Sequence, residues 1–380
     1  MSDADDLPEP DRLEGAPHPR DTLRLLGQDG AEAAFIDAFN SGRMHHAWLI
    51  TGPRGVGKAT LAWRLARFLL TAPDSGSEDG LFGAPPPPVT LETDPEHPVV
   101  RRMNALSEPR LFLLRRPWDT KAKRLKQDIT VDEARKLKGF FAMSATDGGR
   151  RVVIVDAADE MNTSAANAVL KLLEEPPANA FLLLVSHQPS RLLPTIRSRC
   201  RTLRCQPLSA ESLVAALEAA GAEMPEDTAA TMALSDGSVG SAFRLLSDNG
   251  LSTYAGLVRL FDAAPKIDRS RALAFCDAAG ARGGETTVDQ ALQMIDLFLT
   301  RLARTGIMGP PTPEAAPGES ACLSRLCPHP GAARFWAALQ QSLSERTRHG
   351  IAVNLDPAAL LLDTVLKINA GADEVMSAPV

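Results

Sequence analysis

This chain has little of what several protein classes depend on. Its 380 residues include five cysteines, Cys200, Cys205, Cys276, Cys322 and Cys327, with no spacing that suggests a disulfide framework. That scarcity predicts a reducing compartment and hence a cytoplasmic location. Cys322, Cys327 and His329 lie near one another in sequence, but no second ligand pair accompanies them, so no zinc site is expected there. No run approaches 18 continuous apolar residues, which argues against a membrane span. The segment from Met1 to Pro19 is polar and acidic without an apolar centre, and reads as a disordered tail rather than a signal peptide or anchor. A basic excess is missing too: 41 Lys and Arg stand against 47 Asp and Glu, a formal charge of −6. A chain that holds nucleic acid by its own surface usually shows the opposite balance. The local exception is Arg115, Arg116, Lys121, Lys123, Arg124 and Lys126 around Pro117-Trp118. It can touch phosphates, but reads first as a mobile, solvated loop.

What is present starts with Thr51-Gly52-Pro53-Arg54-Gly55-Val56-Gly57-Lys58-Ala59-Thr60. A phosphate-binding P-loop reads G-x-x-x-x-G-K-[ST]: glycines turn backbone N–H groups inward, the lysine reaches the β/γ oxygens, and the hydroxyl binds Mg²⁺. Gly52, Gly57 and Lys58 keep that spacing, but the hydroxyl position is Ala59. Thr60 is one residue further on, a rotation of about 100° around a helix, which turns its hydroxyl away from the metal. The apolar run Ala47 to Ile50 before the loop, and Leu61, Leu65, Phe68 and Leu69 after it, predict the strand–loop–helix setting the motif needs. Nucleotide binding without hydrolysis is the expectation.

A second strand, Arg151 to Asp156, is β-branched, apolar and ends in an acid, as a buried parallel strand would. This is a Walker B pattern, whose aspartate helps hold Mg²⁺. The position that often carries a water-activating glutamate is Ala157, and Asp159 and Glu160 read as solvated or helix-capping. A helix follows over Asn162–Glu175, capped by Asn162 or Thr163 and stopped by Pro176-Pro177. Another buried strand, Phe181 to Val185, ends at Ser186-His187. The candidate nucleotide set is therefore Gly52, Gly55, Gly57, Lys58, Thr60, Asp156 and Ser186. Spacing alone reads Arg197, Arg199, Arg201 and Arg204 as a solvated basic edge or as phosphate contacts.

Taken in order, Gly42-Arg43-Met44-His45-His46-Ala47, the P-loop, Val155-Asp156-Ala157-Ala158-Asp159, Leu172-Leu173-Glu174-Glu175-Pro176-Pro177 and Ser198-Arg199-Cys200 resemble the AAA+ clamp-loader family of the bacterial DNA polymerase III holoenzyme. The motifs cover roughly residues 20–250, and the last third resembles the family loosely. The resemblance implies a hetero-pentamer that places a sliding clamp on primed DNA, with DNA contact shared among subunits. It makes this chain part of a DNA-directed DNA polymerase (nucleotidyltransferase) assembly without intrinsic catalysis. It also gives Arg199 the role of an arginine finger acting in trans, since a planar, permanently charged guanidinium stabilises charge on a transferring phosphoryl group. Three positions depart from the hydrolysing subunits: Ala59, Ala157, and Gly240 where a lid arginine would stand. The family often carries four cysteines after the P-loop helix, and residues 71–110 have none; no metal is expected. The Pro-rich segment that includes Pro85-Pro86-Pro87-Pro88 reads as a surface loop. An active AAA+ motor subunit and a self-contained P-loop kinase remain as alternatives.

The expected architecture is α/β. It comprises a tail over 1–19, a P-loop AAA+ domain with a parallel sheet and flanking helices over 20–207, a small helical lid over 208–250, and an all-α C-terminal collar over 251–380. Ser209 is the candidate cap of the lid's first helix. Ala291, Met294, Ile295 and Phe298 mark one buried helical face, and a last helix is expected over about Pro357 to Ile368.

Overall fold

Apolar, β-branched runs cannot leave their backbone groups unpaired in a core, so they pair with one another. In the computed structural model, which describes residues 8–73, 86–142, 149–225, 228–247, 249–281, 285–353 and 355–377, they form a five-stranded parallel sheet. The strands are β1 (Ala47–Thr51), β2 (Leu111–Arg115), β5 (Arg151–Asp156), β6 (Ala180–Ser186) and β7 (Arg201–Arg204), in the order β2-β5-β6-β1-β7. A separate antiparallel pair, β3 (Trp118–Asp119) and β4 (Arg124–Leu125), follows β2. The register sets Thr51 opposite Ser186 and Arg115 opposite Asp156, so the carboxyl ends of four strands stand level.

Every residue of β1 is buried and β5 and β6 are nearly so, as expected of strands covered on both faces. Alternation along the strands supplies two cores. Val153, Val155, Leu182 and Leu184 pack with α4 (Val131–Ala142) and α5 (Thr163–Glu174). On the other face lie α1 (Asp29–Asn40) and α2 (Lys58–Thr71), where Phe35 meets Trp48 at 5.0 Å between ring centroids. Full burial of a large side chain contributes about 1.5–3 kcal/mol. Asn162 caps α5 by accepting the Ala165 N–H at 2.9 Å. The short helices α3 (Pro98–Asn104) and α6 (Pro194–Arg197) complete this part.

Contacts gather the chain into two compact units, one of residues 1–221 with 237–240, the other of 222–236 with 241–380. Near the end of the first, Ser209 caps α7 (Ala210–Ala219) through the Ser212 N–H. Then come α8 (Ala229–Ser235) and α9 (Val239–Ser247). The second unit's long helices are α10 (Gly250–Phe261), α11 (Arg269–Ala281), α12 (Glu285–Met308), α13 (Glu319–Leu326), α14 (Pro330–Ala352) and α15 (Pro357–Ser377). Their core centres on Tyr254, Phe261, Phe298, Trp336, Leu361 and Val365. The last helix runs past the expected Ile368, with Leu361 and Val365 buried and Leu366 40% exposed.

The expected disordered tail needs correction over residues 8–19; residues 1–7 fall outside those described. Glu9 and Asp11 pair with Arg115 at 2.9 and 2.8 Å, and buried His18 lies 3.3 Å from Glu9 and 3.4 Å from Asp11. Arg67 of α2, itself buried, donates to the carbonyls of Arg20 and Thr22. Acidic composition suggested a solvated tail, but Glu9 and Asp11 both pair with Arg115 of β2, and Glu9 also with Arg20. The basic cluster is likewise no loose loop. Arg115 is committed to the strap, Arg116 pairs with Glu160 at 2.7 Å, and the remaining cations ride on the β3–β4 hairpin. Of the Pro-rich loop, residues 74–85 lie outside the described residues.

Candidate nucleotide site

The loop after β1 is shaped by three glycines at positive φ: Gly52 at +147°, Gly55 at +78° and Gly57 at +99°. A side chain would be strained at each. Space is also closed, since a Cβ on Gly52 would meet the Cys205 carbonyl oxygen at 2.5 Å. The loop feeds directly into the N-terminus of α2, whose first N–H groups and dipole favour an anion. Lys58, the first residue of that helix, is buried and donates from Nζ to the Pro53 carbonyl at 2.5 Å. Burial pulls its pKa down to about 8, opposed by Cys205, Asp156 and Asp159 and assisted by Arg54.

The neighbouring strand ends complete the site. Asp156, at the end of β5, reaches solvent at its edge, yet enough protein surrounds it that desolvation pushes its carboxyl up to about 7. Asp11 and Glu160 add to the rise, while Lys58 and Arg115 oppose it. Ser186, at the end of β6, is fully buried and its Oγ has no hydrogen-bond partner among the described residues. His187 follows with a buried, unpartnered Nδ1. Burial pulls its pKa down to about 4, with Lys58 and Arg54 adding and Asp159 opposing. The imidazole is therefore neutral near pH 7.

Asp159 is neither a helix cap nor free in solvent. Its carboxylate accepts the His187 and Gln188 backbone N–H groups at 3.0 and 3.2 Å, pinning the end of β6 to the turn after β5. Glu160 is spent on Arg116. Ala59 and Ala157 present no polar side chain, and Thr60 stands one residue further along α2. Gly240 packs directly on the loop: its N–H donates to the Gly55 carbonyl at 3.0 Å, and a Cβ there would lie 3.0 Å from the Gly55 Cα. Ser238 Oγ donates to the Arg54 carbonyl at 2.8 Å.

The structure thus brings Gly52, Gly55, Gly57, Lys58, Asp156 and Ser186 to the carboxyl edge of the sheet. Arg199 lies elsewhere. It precedes β7, whose Arg201 is level with Trp48 near the start of β1, so it sits at the amino edge of the same sheet. Its guanidinium is 3.0 Å from Glu174 and donates to the Thr195 carbonyl at 3.1 Å, with 39% of the side chain exposed. Among residues the sequence did not single out, Gln28 is buried and its side chain donates to the Val56 and Gln206 carbonyls at 3.0 and 2.8 Å, tying the loop to the chain after β7. A lone glutamine ahead of a helix carries no motif that would have marked it. His187 was visible only as a strand-end residue. Among the described residues, no cluster of three or more His, Cys, Asp or Glu side chains could hold a metal, and no helix is long and apolar enough to cross a membrane.

Residues 27–209 match the family model described as DNA polymerase III, delta subunit. The chain is 39% identical over 201 residues to the delta-prime subunit of DNA polymerase III from Pseudomonas aeruginosa, covering 53% of this chain and 55% of the relative. It is 31% identical over 212 residues to the Escherichia coli delta-prime subunit, covering 55% and 57% respectively. The chain thus spans about half the length of the curated relatives it matches. Among solved structures, a DNA polymerase III gamma subunit-related protein from Thermotoga maritima aligns at 17% identity and a TM-score of 0.41, covering 89% of this chain and 99% of that one.

Proposed function

We propose, from the match of residues 27–209 to the DNA polymerase III delta-subunit model and the likeness to delta-prime subunits, that this chain serves as a delta-prime-type clamp-loader subunit in the cytoplasm. In this reading it joins other loader subunits in a hetero-pentamer that sets a sliding clamp on primed DNA. Its own P-loop binds ATP without hydrolysing it, and Arg199 reaches the ATP of a neighbouring subunit. The three-part division into P-loop domain, lid over 208–250 and collar over 251–380 belongs to the same proposal.

One observation carries this reading. The phosphate cradle and the exposed arginine stand at opposite edges of one sheet. A strand of five residues spans about 17 Å, too far for Arg199 to serve its own loop while β7 stays paired. A partly exposed guanidinium at that edge is placed for a phosphate brought by another chain. The glycine turns, the N-terminus of α2 and Lys58 suit a phosphate, but Ala59 supplies no metal ligand, Ala157 no base, and Gly240 no cation. Replacing Gly240 by arginine would also push against Gly55.

Incubation of the purified full chain with Mg-ATP tests this directly. Calorimetry is expected to show binding that Lys58→Ala abolishes, with no phosphate released above the no-protein blank. Turnover by the chain alone would instead favour an active motor subunit.

A further inference from the structure

The segment ahead of α1 is held in two different ways. Residues 18–28 are anchored by buried groups. Arg67 of α2 donates to the Arg20 and Thr22 carbonyls, and Arg64 donates to the Leu23 carbonyl and to Glu32. Leu25 lies against the P-loop, where a Cβ on Gly57 would meet its Cδ1 at 2.6 Å, and Gln28 donates to the Val56 carbonyl. Residues 8–17 have no such anchor. They form neither helix nor strand, and none of their apolar residues is buried. Among the described residues their backbone–backbone hydrogen bonds, Arg12 to Glu9 and Ala16 to Leu13, stay within the segment. Charge is what fixes them. Arg115 donates to Glu9 at 2.9 Å and to Asp11 at 2.8 Å, Arg20 donates to Glu9 at 2.7 Å, and His18 Nε2 lies against both carboxylates. Desolvation by burial works against ionisation of the two acids, but the bonds from these partners outweigh it and hold both carboxyls below their usual range.

The cation that holds this strap stands at the nucleotide edge of the sheet. Arg115 is level with Asp156 on the adjacent strand, and neighbouring strands lie about 4.8 Å apart. A guanidinium offers carboxylate and phosphate the same planar fork of donors. Glu9 and Asp11 therefore occupy the donors that a polyphosphate reaching toward Asp156 would attract. We propose that the strap over residues 8–17 is an autoinhibitory latch, in which Glu9 and Asp11 withhold Arg115 from nucleotide phosphates, so that nucleotide binding and strap release favour each other. The inference rests on the nucleotide-binding reading of the P-loop and adds its regulation. Arg115 is three strands from β1, so it faces the outermost phosphate, on the Asp156 side, rather than those in the glycine turn. The latch therefore acts on a triphosphate more than on a diphosphate. With Ala59 in place of a metal-binding hydroxyl, a further cation at that end carries more weight.

The test is calorimetry of the full chain with ATP, ADP and inorganic tripolyphosphate, comparing parent, E9Q/D11N and E9Q/D11N/R115Q. The double variant should bind ATP and tripolyphosphate about tenfold more tightly, the gain expected of one freed charged donor, with a smaller change for ADP. The triple variant should fall back to the parent. Circular dichroism checks folding, and E9Q alone, which leaves Asp11 on Arg115 and His18, repeats the comparison with a smaller gain. An independent readout is tryptic cleavage after exposed Arg12, which saturating ATP should accelerate in the parent and leave unchanged in Lys58→Ala. Equal affinities in parent and E9Q/D11N, both abolished by Lys58→Ala, would overturn the latch and leave the nucleotide reading standing. Weaker binding by E9Q/D11N, or cleavage slowed by ATP, would make the strap a support of the site and overturn the latch as well. Absence of binding by every form would overturn both readings.

Discussion

Lys58 is the residue on which the loop's chemistry turns. Held at a pKa near 8 by burial, it is mostly protonated at pH 7 and loses its charge as pH rises through that value. A bound polyphosphate favours the ammonium, so binding above pH 8 must take up a proton and affinity must fall as pH rises. Below pH 7 this group should contribute almost no pH dependence. Calorimetry of ATP binding in buffers of different ionisation enthalpy should therefore show proton uptake at pH 9 and little at pH 7 from Lys58. Lys58→Met should remove both uptake and binding. The loop was legible because glycine spacing and a following helix form a local pattern, whereas the strap, with Glu9 and Asp11 on Arg115, depends on partners about a hundred residues apart in sequence. No periodicity encodes such a pairing. Asp159 was misread for the same reason: its partners are backbone N–H groups of a distant strand end.

At the scale of elements, the sheet could be anticipated because β1, β5 and β6 are continuous apolar runs that alternate with helical patterns. The hairpin could not, since strands of two residues carry no period. In the helical unit the face Ala291, Met294, Ile295 and Phe298 is buried as expected, but the polar pin beside it had no signal in sequence. Fully buried Glu319 accepts from Tyr254 Oη at 2.5 Å, from Arg301 at 2.6 and 3.0 Å, and from the Ala315 N–H at 2.6 Å. It thereby ties α10, α12 and α13. Removing one partner of a buried ion pair leaves the other charge uncompensated, at about 3–5 kcal/mol. Glu319→Ala should lower unfolding stability by that amount in urea titration. The double variant E319L/R301M, which removes both charges, should recover much of the loss. A double variant no more stable than Glu319→Ala would instead mean that the ion pair supplies net stability over the apolar residues.

At the scale of the whole molecule, the P-loop glycines, Lys58 and Asp156 stand at one edge of the sheet, Ala59 and Ala157 occupy two positions where hydrolysing relatives carry polar groups, and partly exposed Arg199 stands at the far edge. That division is what the proposed contribution to another subunit's site requires. Arg199 is restrained by one partly exposed ion pair to Glu174 and one hydrogen bond to the Thr195 carbonyl, and exposed pairs are worth about 0–1 kcal/mol. Leaving Glu174 for a neighbour's phosphates is therefore a small step against the charge gained there. The most direct measurement is DNA-dependent ATP turnover of the reconstituted clamp loader carrying either Arg199→Ala or Lys58→Ala in this chain. The account predicts a fall of about 10³-fold or more at the neighbouring site with Arg199→Ala, and a rate close to the parent with Lys58→Ala. A large loss with Lys58→Ala and little change with Arg199→Ala would contradict it and make this chain's own loop the working site.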